Sequence, residues 1–415
     1  MLEASILGRA IEEGLIEVEL IDIRPFSELK HKNTDDYPFG GGPGMVMLAQ
    51  PIVDAVEACT KDGFHGRRLY LSPRGRTFDQ SMAEELARDG ELLLLCWAVC
   101  RNRPENWVCV VLNALAKEYA EIVGGSADLT PSNNTALKCS CDFTPEHPEG
   151  RYIRFGVREH AMAAICNGLA AYGGFLPFCA TFFVFIGYCL GAVRISALNR
   201  LRVLYIMTHD SIGVGEDGPT HQPVEQLVAL RSIPNVIVYR PCDTAETAAA
   251  WYTAITTTHP TAICLSRQKL GVNCLDMNLA LKGGYVLVDS DKKTPDCILI
   301  ATGSEVDVAV KAREVLKAEG IDARVVSMPS IEVFEAQSEK YKQSVLPRGV
   351  KARVCIEAAS PYSWYKYAGD YGKIVAMESF GLSGKPSELF ARFGFTPENV
   401  AEKAKQSIAA LKEDR

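Results

Sequence analysis

The sequence predicts an α/β protein built from a parallel-sheet domain and a second α/β domain. From Leu112 onward, short β-rich runs alternate with helical runs, and a strand–turn–helix–strand run follows Gly283. The hydrophobic content of 47% and the charged content of 23% are typical of a globular chain that buries a core. Alternating strands and helices favour a parallel sheet with helices on both faces, and 415 residues allow two or three domains.

Residues 1–96 carry shorter α/β signals. The run SILGRAIEEGLIEVEL predicts the end of a helix and a strand, and PIVDAVEAC predicts a helix with Pro51 at its first position. RRLYLSP and ELLLLCW are typical of strands, and Pro73 ends the first of them. A glycine-rich loop, TDDYPFGGGPGMVM, lies among these elements.

The parallel-sheet domain is predicted between Leu112 and residue 270. Its helices are predicted in LNALAKEYAE, VEQLVALRS and DTAETAAAWYTAI, and its strands in VLYIMT, VIVYRP and TAICLS. The run YIRFGVREHAMAAICNGLAAYGG ends in an Ala-rich helix.

One apolar stretch leaves two interpretations open. Between His160 and Arg194 there is no charged residue, and FLPFCATFFVFIGYCLGAV is long enough to cross a bilayer. Pro177, Gly187 and Gly191 interrupt this stretch. A buried strand–loop–helix of an α/β core therefore fits as well as a membrane span does.

The second α/β domain is predicted from DCILIATGSEVDVAVKAREVLKAEGIDARVVSMP, which reads as strand, helix and strand with a right-handed crossover. ARVCIE and KIVAME predict further strands. The last helix has Thr396 as N-cap and Pro397 in its first turn. Its apolar stripe is Val400, Ala401, Ala404, Ile408 and Leu411.

The distribution of charge and the spacing of the cysteines limit the classes of function that this protein can have. Residues 1–96 hold 10 Lys/Arg and 17 Asp/Glu, a balance of 10 − 17 = −7, which equals the net charge of the whole chain. An acidic N-terminal part argues against a nucleic-acid binder. The 14 cysteines are scattered, and neither Cys139/Cys141 nor Cys96/Cys100 has a partner pair or a His at zinc spacing. We expect reduced thiols, no metal ligands and a cytoplasmic protein without a signal peptide.

Three segments carry candidate chemistry. Glu159 precedes the Ala-rich helix, where the simpler interpretation is that it complements the helix dipole. Phe182, Phe185 and Tyr188 recur every three residues, as in a core stripe or in a wall for a flat heterocycle. The loop THDSIGVGEDGPTHQP follows a predicted strand, at the edge where open α/β sheets bind ligands. Its polar side chains are His209, Asp210, Glu216, Asp217 and His221.

These segments, in this order, closely resemble transketolase, a thiamine diphosphate enzyme. The matching motifs are GGSADLTPSN, GVREHAM, THDSIGVGEDGPTHQP, LSRQ, LIATGSEV and SGKPSELFARFGFTPE. The resemblance covers residues 112–415, the C-terminal half of that family. It implies the parallel-sheet pyrimidine-binding domain of thiamine diphosphate enzymes and a C-terminal α/β domain, and it makes the membrane span the weaker interpretation.

The resemblance implies roles for ten residues. Glu159 matches the catalytic glutamate that hydrogen-bonds the aminopyrimidine ring, and Asp128 matches a residue near the cofactor. The aromatic pocket around the pyrimidine matches Phe182, Phe185 and Tyr188. The residues matching substrate contacts are Ser132, His209, Asp217, His221 and Arg267. Of these, His209 and His221 also move protons in the family, and Ser132 and Arg267 contact the sugar phosphate. The reaction implied is transfer of a two-carbon ketol unit between sugar phosphates.

The resemblance also has gaps. The family's N-terminal half, which holds Mg²⁺ and the diphosphate, has no counterpart in these residues. The family's phosphate-binding Arg upstream of GGSADL falls on Glu105, with Arg103 two residues away. We therefore expect only the pyrimidine end of the thiamine diphosphate site, with Mg²⁺ bound by a diphosphate-binding domain or subunit from elsewhere. A homodimer through the pyrimidine-type domain is also implied.

The first 96 residues resemble a different family, bacterial tRNA (guanine-N1) methyltransferase. HKNTDDYPFGGGPGMVM and YLSPRGRTFDQ carry this resemblance. It places the loop Asp36–Met45 near the target guanosine, and Leu71, Ser72, Pro73 and Gly75 in part of an S-adenosylmethionine site. The segments that close that pocket in the family are missing, so we expect an incomplete α/β-knot-like fragment that does not bind S-adenosylmethionine.

The sequence thus predicts five segments. They are a methyltransferase-like fragment (1–96), a junction (97–111), a pyrimidine-binding domain (112–270), a linker (271–292) and a C-terminal domain (293–415). The main hypothesis is a transketolase-type half-site with sugar phosphates as substrates. Two alternatives stay open, a catalytically inactive chain joined from two fragments and a tRNA (guanine-N1) methyltransferase.

Overall fold

A computed structural model describes residues 35–36, 46–47, 49–60, 67–70, 92–95, 104–268, 270–271 and 276–414. The chain divides into two compact units, Met1–Val99 and Cys100–Arg415.

The described part of the first unit contains four short strands and one helix. The strands are β1 (Asp35–Asp36), β2 (Val46–Met47), β3 (Arg67–Tyr70) and β4 (Leu92–Leu95), and the helix is α1 (Ala49–Thr60). β1 pairs antiparallel with β2, and β3 pairs parallel with β4. The structure thus has both predicted strands and the predicted helix, which begins two residues before Pro51. The run SILGRAIEEGLIEVEL, the residues between Asp36 and Val46, and Leu71, Ser72, Pro73 and Gly75 lie outside the described residues.

The pyrimidine-type domain has a six-stranded parallel sheet with the order β6-β5-β7-β8-β10-β9. Its strands are β5 (Ile122–Ser126), β6 (Tyr152–Arg154), β7 (Leu176–Phe182), β8 (Leu204–Thr208), β9 (Ile237–Tyr239) and β10 (Thr261–Leu265). Its α-helices are α2 (Pro104–Glu118), α3 (Thr130–Asn133), α4 (Glu159–Tyr172), α5 (Leu190–Leu198), α6 (Gln226–Arg231) and α7 (Thr244–Thr256). The residues Pro104–Val111 of the predicted junction belong to α2.

Helices cover both faces of this sheet, as the alternation of strands and helices predicts. Leu204 and Ile206 of β8 pack in a core with α2 and α7, while Tyr205 and Met207 pack in a second core with α4 and α5. Successive side chains of a strand point to opposite faces, so a strand buried on both sides is apolar throughout.

The long apolar stretch forms three elements of this core. It contains β7, a 3₁₀ segment (Phe183–Cys189) and α5. In the part of the chain that the structure describes, no helix is both long and apolar enough to span a bilayer. The interpretation as a buried strand–loop–helix is therefore the one that the structure supports.

The C-terminal domain has a five-stranded sheet with the order β11-β13-β12-β14-β15. Its strands are β11 (Tyr285–Val288), β12 (Cys297–Ala301), β13 (Ala323–Ser327), β14 (Arg353–Ile356) and β15 (Lys373–Val375). Its α-helices are α9 (Glu305–Ala318), α10 (Ile331–Glu335), α11 (Glu339–Val345), α12 (Tyr365–Ala368), α13 (Pro386–Arg392) and α14 (Pro397–Glu413). Only β11 runs antiparallel to its neighbour. The predicted linker contains this edge strand and the short helix α8 (Met277–Ala280).

The last helix agrees with its sequence signals. The Thr396 hydroxyl accepts a hydrogen bond from the backbone N–H of Asn399 at 3.2 Å, which caps α14. Val400, Ala401 and Ala404 are buried in a core shared with α9 and the sheet. The predicted fold class, a parallel-sheet domain followed by a C-terminal α/β domain, is thereby confirmed.

Candidate active site

The candidate residues collect at the carboxyl edge of the six-stranded sheet. Asp128 follows β5, Phe182 ends β7, His209 follows β8 and Arg267 follows β10. Because β5, β7, β8 and β10 are parallel neighbours, their ends bring these side chains to one side. Asp128 and His209 both have left-handed backbone conformations, with φ of 60° and 63°. Asp and His tolerate this region better than most residues, which lets the chain turn sharply at the strand ends.

A cavity of about 720 Å³ lies at this edge. Its lining includes Asp128, Glu159, Phe185 and Tyr188, four of the residues predicted to contact the cofactor. Glu159 is the first residue of α4 and is only 8% exposed. A carboxyl group that faces a cavity can form a hydrogen bond with a polar ligand bound there.

A row of rings leads from this cavity to the loop after β8. The ring centroids of Tyr188 and Phe185 are 6.0 Å apart, and those of Phe185 and Phe182 are 6.1 Å apart. Phe182 stacks on the imidazole of His209 at 3.8 Å. Tyr188 is exposed and Phe185 and Phe182 are half-buried, so these rings form an accessible wall. The interpretation as a pure core stripe does not hold for them.

His209 is held as a neutral base. Burial lowers its pKa to about 3, and the positive charges of Arg267 and of a protonated His221 act in the same direction. Its Nδ1 lies 2.9 Å from the Thr208 hydroxyl, and only 6% of the residue is exposed. A neutral imidazole both donates and accepts a hydrogen bond, which suits binding of a hydroxyl group.

His221 approaches the same wall from the other end of the loop. Its ring meets Phe185 edge-on at 5.4 Å, and its Nδ1 lies 2.9 Å from the Thr220 hydroxyl. The loop reaches this position through a 3₁₀ segment (Ile212–Asp217) that turns at Gly215, where φ is 82°. The structure therefore brings His209 and His221, twelve positions apart in sequence, to one aromatic wall.

The three remaining candidates lie at the margin. Arg267 donates from Nη1 to the carbonyl of Val214 at 3.0 Å and affects the pKa of His209. Ser132, on α3, and Asp217 are exposed and do not line the cavity. Their placement fits contact with the outer part of a bound substrate more readily than contact with the reacting atoms.

Sequence reasoning missed a buried ion network behind His209. The Arg240 Nε atom donates to Asp210 Oδ2 at 2.8 Å, and its Nη1 donates to the carbonyl and hydroxyl of Thr302 at 3.1 and 3.0 Å. Arg240 also pairs with Glu305, and Ser266 donates to Asp210 Oδ2 at 2.9 Å. The sequence identifies Asp210 as a polar residue of the loop after β8. Its partner, Arg240, follows β9 and is distant in sequence.

A second buried pair extends this network into the C-terminal domain. Arg231 donates to both carboxylate oxygens of Glu357 at 2.8 and 2.9 Å. Thr302 and the Trp364 indole also donate to Glu357, each at 2.8 Å. Burial opposes ionisation of Glu357, but the adjacent Arg231 and Arg240 hold its pKa below the ordinary value. The loop that carries His209 is thus tied to both domains.

Comparison with known proteins agrees with this architecture. Residues 108–272 match the family of transketolase pyrimidine binding domains, and residues 283–396 match transketolase-like TK C-terminal domains. Residues 1–99 match tRNA (Guanine-1)-methyltransferase TrmD, and most of them lie outside the described part of the chain.

Individual relatives show the extent of the similarity. A chloroplastic transketolase from Solanum tuberosum is 52% identical over 299 residues, which are 71% of this chain and 40% of that protein. A Pichia stipitis transketolase, solved as a complex with sedoheptulose-7-phosphate, has a TM-score of 0.71 at 46% identity, covering 75% of this chain and 46% of that one. A structure described as a split gene transketolase, inactive beta4 tetramer, has a TM-score of 0.60 at 26% identity, covering 74% of this chain and 99% of that one.

The chain therefore spans less than half of the Solanum and Pichia proteins but nearly all of the split-gene chain. The similarity falls on the residues that build the sheet edge, the cavity and the buried ion network. Residues 108–272 are thus similar to the pyrimidine binding domain of transketolases, and residues 283–396 to their C-terminal domain.

Proposed function

We propose that this chain supplies the pyrimidine half of a thiamine diphosphate site for two-carbon ketol transfer between sugar phosphates. The observation that carries this proposal is that the nearly buried Glu159 and the rings of Phe185 and Tyr188 line the same cavity. Support also comes from the family: the relatives are transketolases, and one of them was solved with a sugar phosphate. Bound thiamine diphosphate supplies an electron sink for cleavage of a carbon–carbon bond.

Glu159 and the aromatic wall would hold the aminopyrimidine ring. The Glu159 carboxyl, at the start of α4 and facing the cavity, would share a proton with a ring nitrogen. Phe185 offers a half-buried ring face for stacking, with Tyr188 beside it at 6.0 Å. Asp128 lines the same cavity and would contact the cofactor from the end of β5.

His209 and His221 would act on the sugar. Because His209 stays neutral, its imidazole can accept a hydrogen bond from a substrate hydroxyl group. His221, at the outer end of the loop, would bind a second hydroxyl group. Asp217 would contact the sugar chain, and Ser132 and Arg267 would bind the terminal phosphate.

The diphosphate end would come from a separate diphosphate-binding domain or subunit. The residues next to the pyrimidine domain, 1–99, match a methyltransferase family. The structure described as a split gene transketolase, inactive beta4 tetramer, is matched over 99% of its length, and this description supports the proposal of a half-site. Mg²⁺ would accordingly be bound by the separate domain.

The exposed surface beside the cavity supports a partner. At the cavity Val157 is 75% exposed and Tyr188 69%, and at the last residues of α4 and α5 Tyr172 is 85% exposed and Leu198 66%. Apolar side chains around α4 and α5 lose this exposure when another protein surface covers them. We propose that this surface receives the diphosphate-binding domain or a second copy of the chain.

One observation favours the alternative of an inactive chain joined from two fragments. The methyltransferase match of residues 1–99 favours a chain joined from two fragments, which would be inactive even beside a diphosphate-binding domain. A tRNA methyltransferase has less support, because the cavity and the ion network described above lie in the other unit.

The test is complementation of the purified chain with a transketolase diphosphate-binding domain. Assembly is measured by size-exclusion chromatography with light scattering, and ketol transfer is measured with a ketose phosphate donor, thiamine diphosphate and Mg²⁺. We expect no turnover from either part and turnover from the complex, which Glu159→Gln abolishes and the exposed Glu118→Gln does not change. A complex that forms but does not turn over, or the absence of any complex, would refute the half-site.

A further inference from the structure

The loop between α3 and β6 gathers three metal-binding side chains outside the cavity. One thiol, one imidazole and one carboxylate atom of Cys141, His147 and Glu149 lie within 4.8 Å of one another. All three residues are exposed. In sequence they are separated by five residues and by one, a spacing that does not resemble the paired ligands of common zinc motifs.

Backbone hydrogen bonds hold this loop in shape. Cys141 accepts at its carbonyl from Tyr152 N at 3.3 Å, and Phe143 N donates back to the Tyr152 carbonyl at 2.7 Å. Thr144 and His147 exchange two backbone bonds, at 3.2 and 3.1 Å. The positions that carry the thiol and the imidazole are therefore set before any ligand binds.

Gly150 closes the loop below Glu149. Its N–H donates to the His147 carbonyl at 3.0 Å. A Cβ atom at Gly150 would lie 2.3 Å from the carbonyl oxygen of Asp142, so no other residue fits without a shift. This close approach of the two chain segments brings Glu149 back beside His147.

The donor set suits zinc. Thiolate, imidazole and carboxylate are its usual ligands, at about 2.0–2.3 Å, and an open site combines three protein ligands with a water molecule. His147 Nδ1 already lies 3.1 Å from Glu149 Oε1. Two donors on one tetrahedral ion stand about 3.3–3.8 Å apart, so the exposed Cys141 side chain needs to move by about 1.5 Å at most, given the 4.8 Å limit.

The neighbouring thiol has a different environment. Cys139 donates to the carbonyl of Ala116 at 3.5 Å and accepts from Arg151 Nη2 at 3.2 Å. The guanidinium disfavours a second cation at that sulfur. Cys139 is therefore a matched control, an exposed cysteine on the same loop that would not be a ligand.

We propose that Cys141, His147 and Glu149 bind a zinc ion. This site is independent of the function proposed above and contrasts with the sequence prediction of no metal ligands. The loop that holds it leads into β6 and then to Glu159, so an ion here would cross-link the segment just before the cavity.

The test is metal titration of the full-length chain, purified metal-free under a non-chelating reductant. Zn²⁺ affinity is measured by competition with a chromophoric indicator, and Co²⁺ substitution reports thiolate coordination through its charge-transfer absorbance. The variants are Cys141→Ser, His147→Gln and Glu149→Gln, with Cys139→Ser as control. Circular dichroism checks that each variant is folded.

We expect each of the three variants to bind Zn²⁺ at least about tenfold more weakly, because losing a ligand should cost no less than losing an outer-shell partner. Cys141→Ser should also remove the cobalt–thiolate absorbance, and Cys139→Ser should leave both measurements unchanged. Equal affinity in the wild type and the three variants would overturn the proposal, as would a loss of affinity in Cys139→Ser equal to that in Cys141→Ser.

Discussion

Arg240 and Asp210 form a fully buried ion pair, with Nε and Oδ2 2.8 Å apart, directly behind the imidazole that faces the aromatic wall. Arg240 follows β9 and Asp210 follows His209, so the pair joins two strand ends. Arg240 also pairs with Glu305 of the C-terminal domain. Removing one member of this ion network leaves the remaining charged groups buried without a compensating charge.

Replacing Arg240 with Met should therefore destabilise the fold strongly. Breaking a buried pair costs about 3–5 kcal/mol, because the partner charge loses its compensation. The measurement is urea unfolding, with the exposed Arg348→Met as control, which should change stability by less than about 0.5 kcal/mol. Neutralising both carboxylates as well, with Asp210→Asn and Glu305→Gln, should recover part of the loss. A cost below about 1 kcal/mol for Arg240→Met would contradict the role of this network.

Gly303 gives a steric test of the same network. Its φ is 51°, and a Cβ atom there would lie 2.8 Å from Arg240 Cζ. Gly320 has φ of 77° but open space around the Cβ position. Both Gly→Ala changes should cost about 1–2 kcal/mol for the left-handed backbone, and Gly303→Ala should cost more because the guanidinium must move. Equal urea midpoints for the two variants would show that Arg240 tolerates the methyl group.

Phe185→Ala should weaken cofactor binding in the complemented enzyme. Loss of an aromatic contact costs about 0.5–1.5 kcal/mol beyond the buried area, so the apparent Kd for thiamine diphosphate should rise by at least about twofold to thirteenfold. The measurement is activity against cofactor concentration. Phe143→Ala, on the exposed loop before β6, is the matched control and should leave the Kd unchanged. An unchanged Kd in Phe185→Ala would remove this ring from the cofactor site.

The low pKa of His209 predicts a pH dependence of stability. Burial lowers this pKa to about 3, while an unfolded chain has the ordinary His value of about 6.5. Below pH 6.5 the unfolded state binds a proton that the folded state does not, so stability falls as pH falls. The slope from this group is about 1.4 kcal/mol for each pH unit, or about 2 kcal/mol between pH 6.5 and 5.

His209→Asn should remove that contribution, since Asn does not titrate and tolerates the left-handed backbone. Urea unfolding at pH 7, 6 and 5 gives the measurement, and the variant should lose less stability on acidification than the wild type. Parallel pH profiles for His209→Asn and the wild type would contradict a buried neutral His209.

Local sequence signals predicted the helices and strands whose formation depends on residues close together in the chain. The alternation of apolar runs with helical runs indicated the parallel sheet, and Thr396 with Pro397 marked the start of the last helix. The loop after β8 was predicted to bind a ligand because its His and carboxylate residues follow a strand. The long apolar stretch remained ambiguous, since hydropathy cannot distinguish a membrane span from a strand buried on both faces.

Only the tertiary structure determines which polar side chains contact one another. Arg240 lies 30 positions from Asp210 and 65 from Glu305, and only the sheet order and the packing of the second domain make them partners. The same holds for Cys141 and His147, whose sequence spacing argues against a metal site although a loop closure brings them together. The amino-acid sequence determined the strands, the helices and the glutamate at the start of α4, because these depend on residues near in the chain. The cavity, the neutral state of His209 and the buried ion network depend on burial and on long-range contacts, which only the folded chain defines.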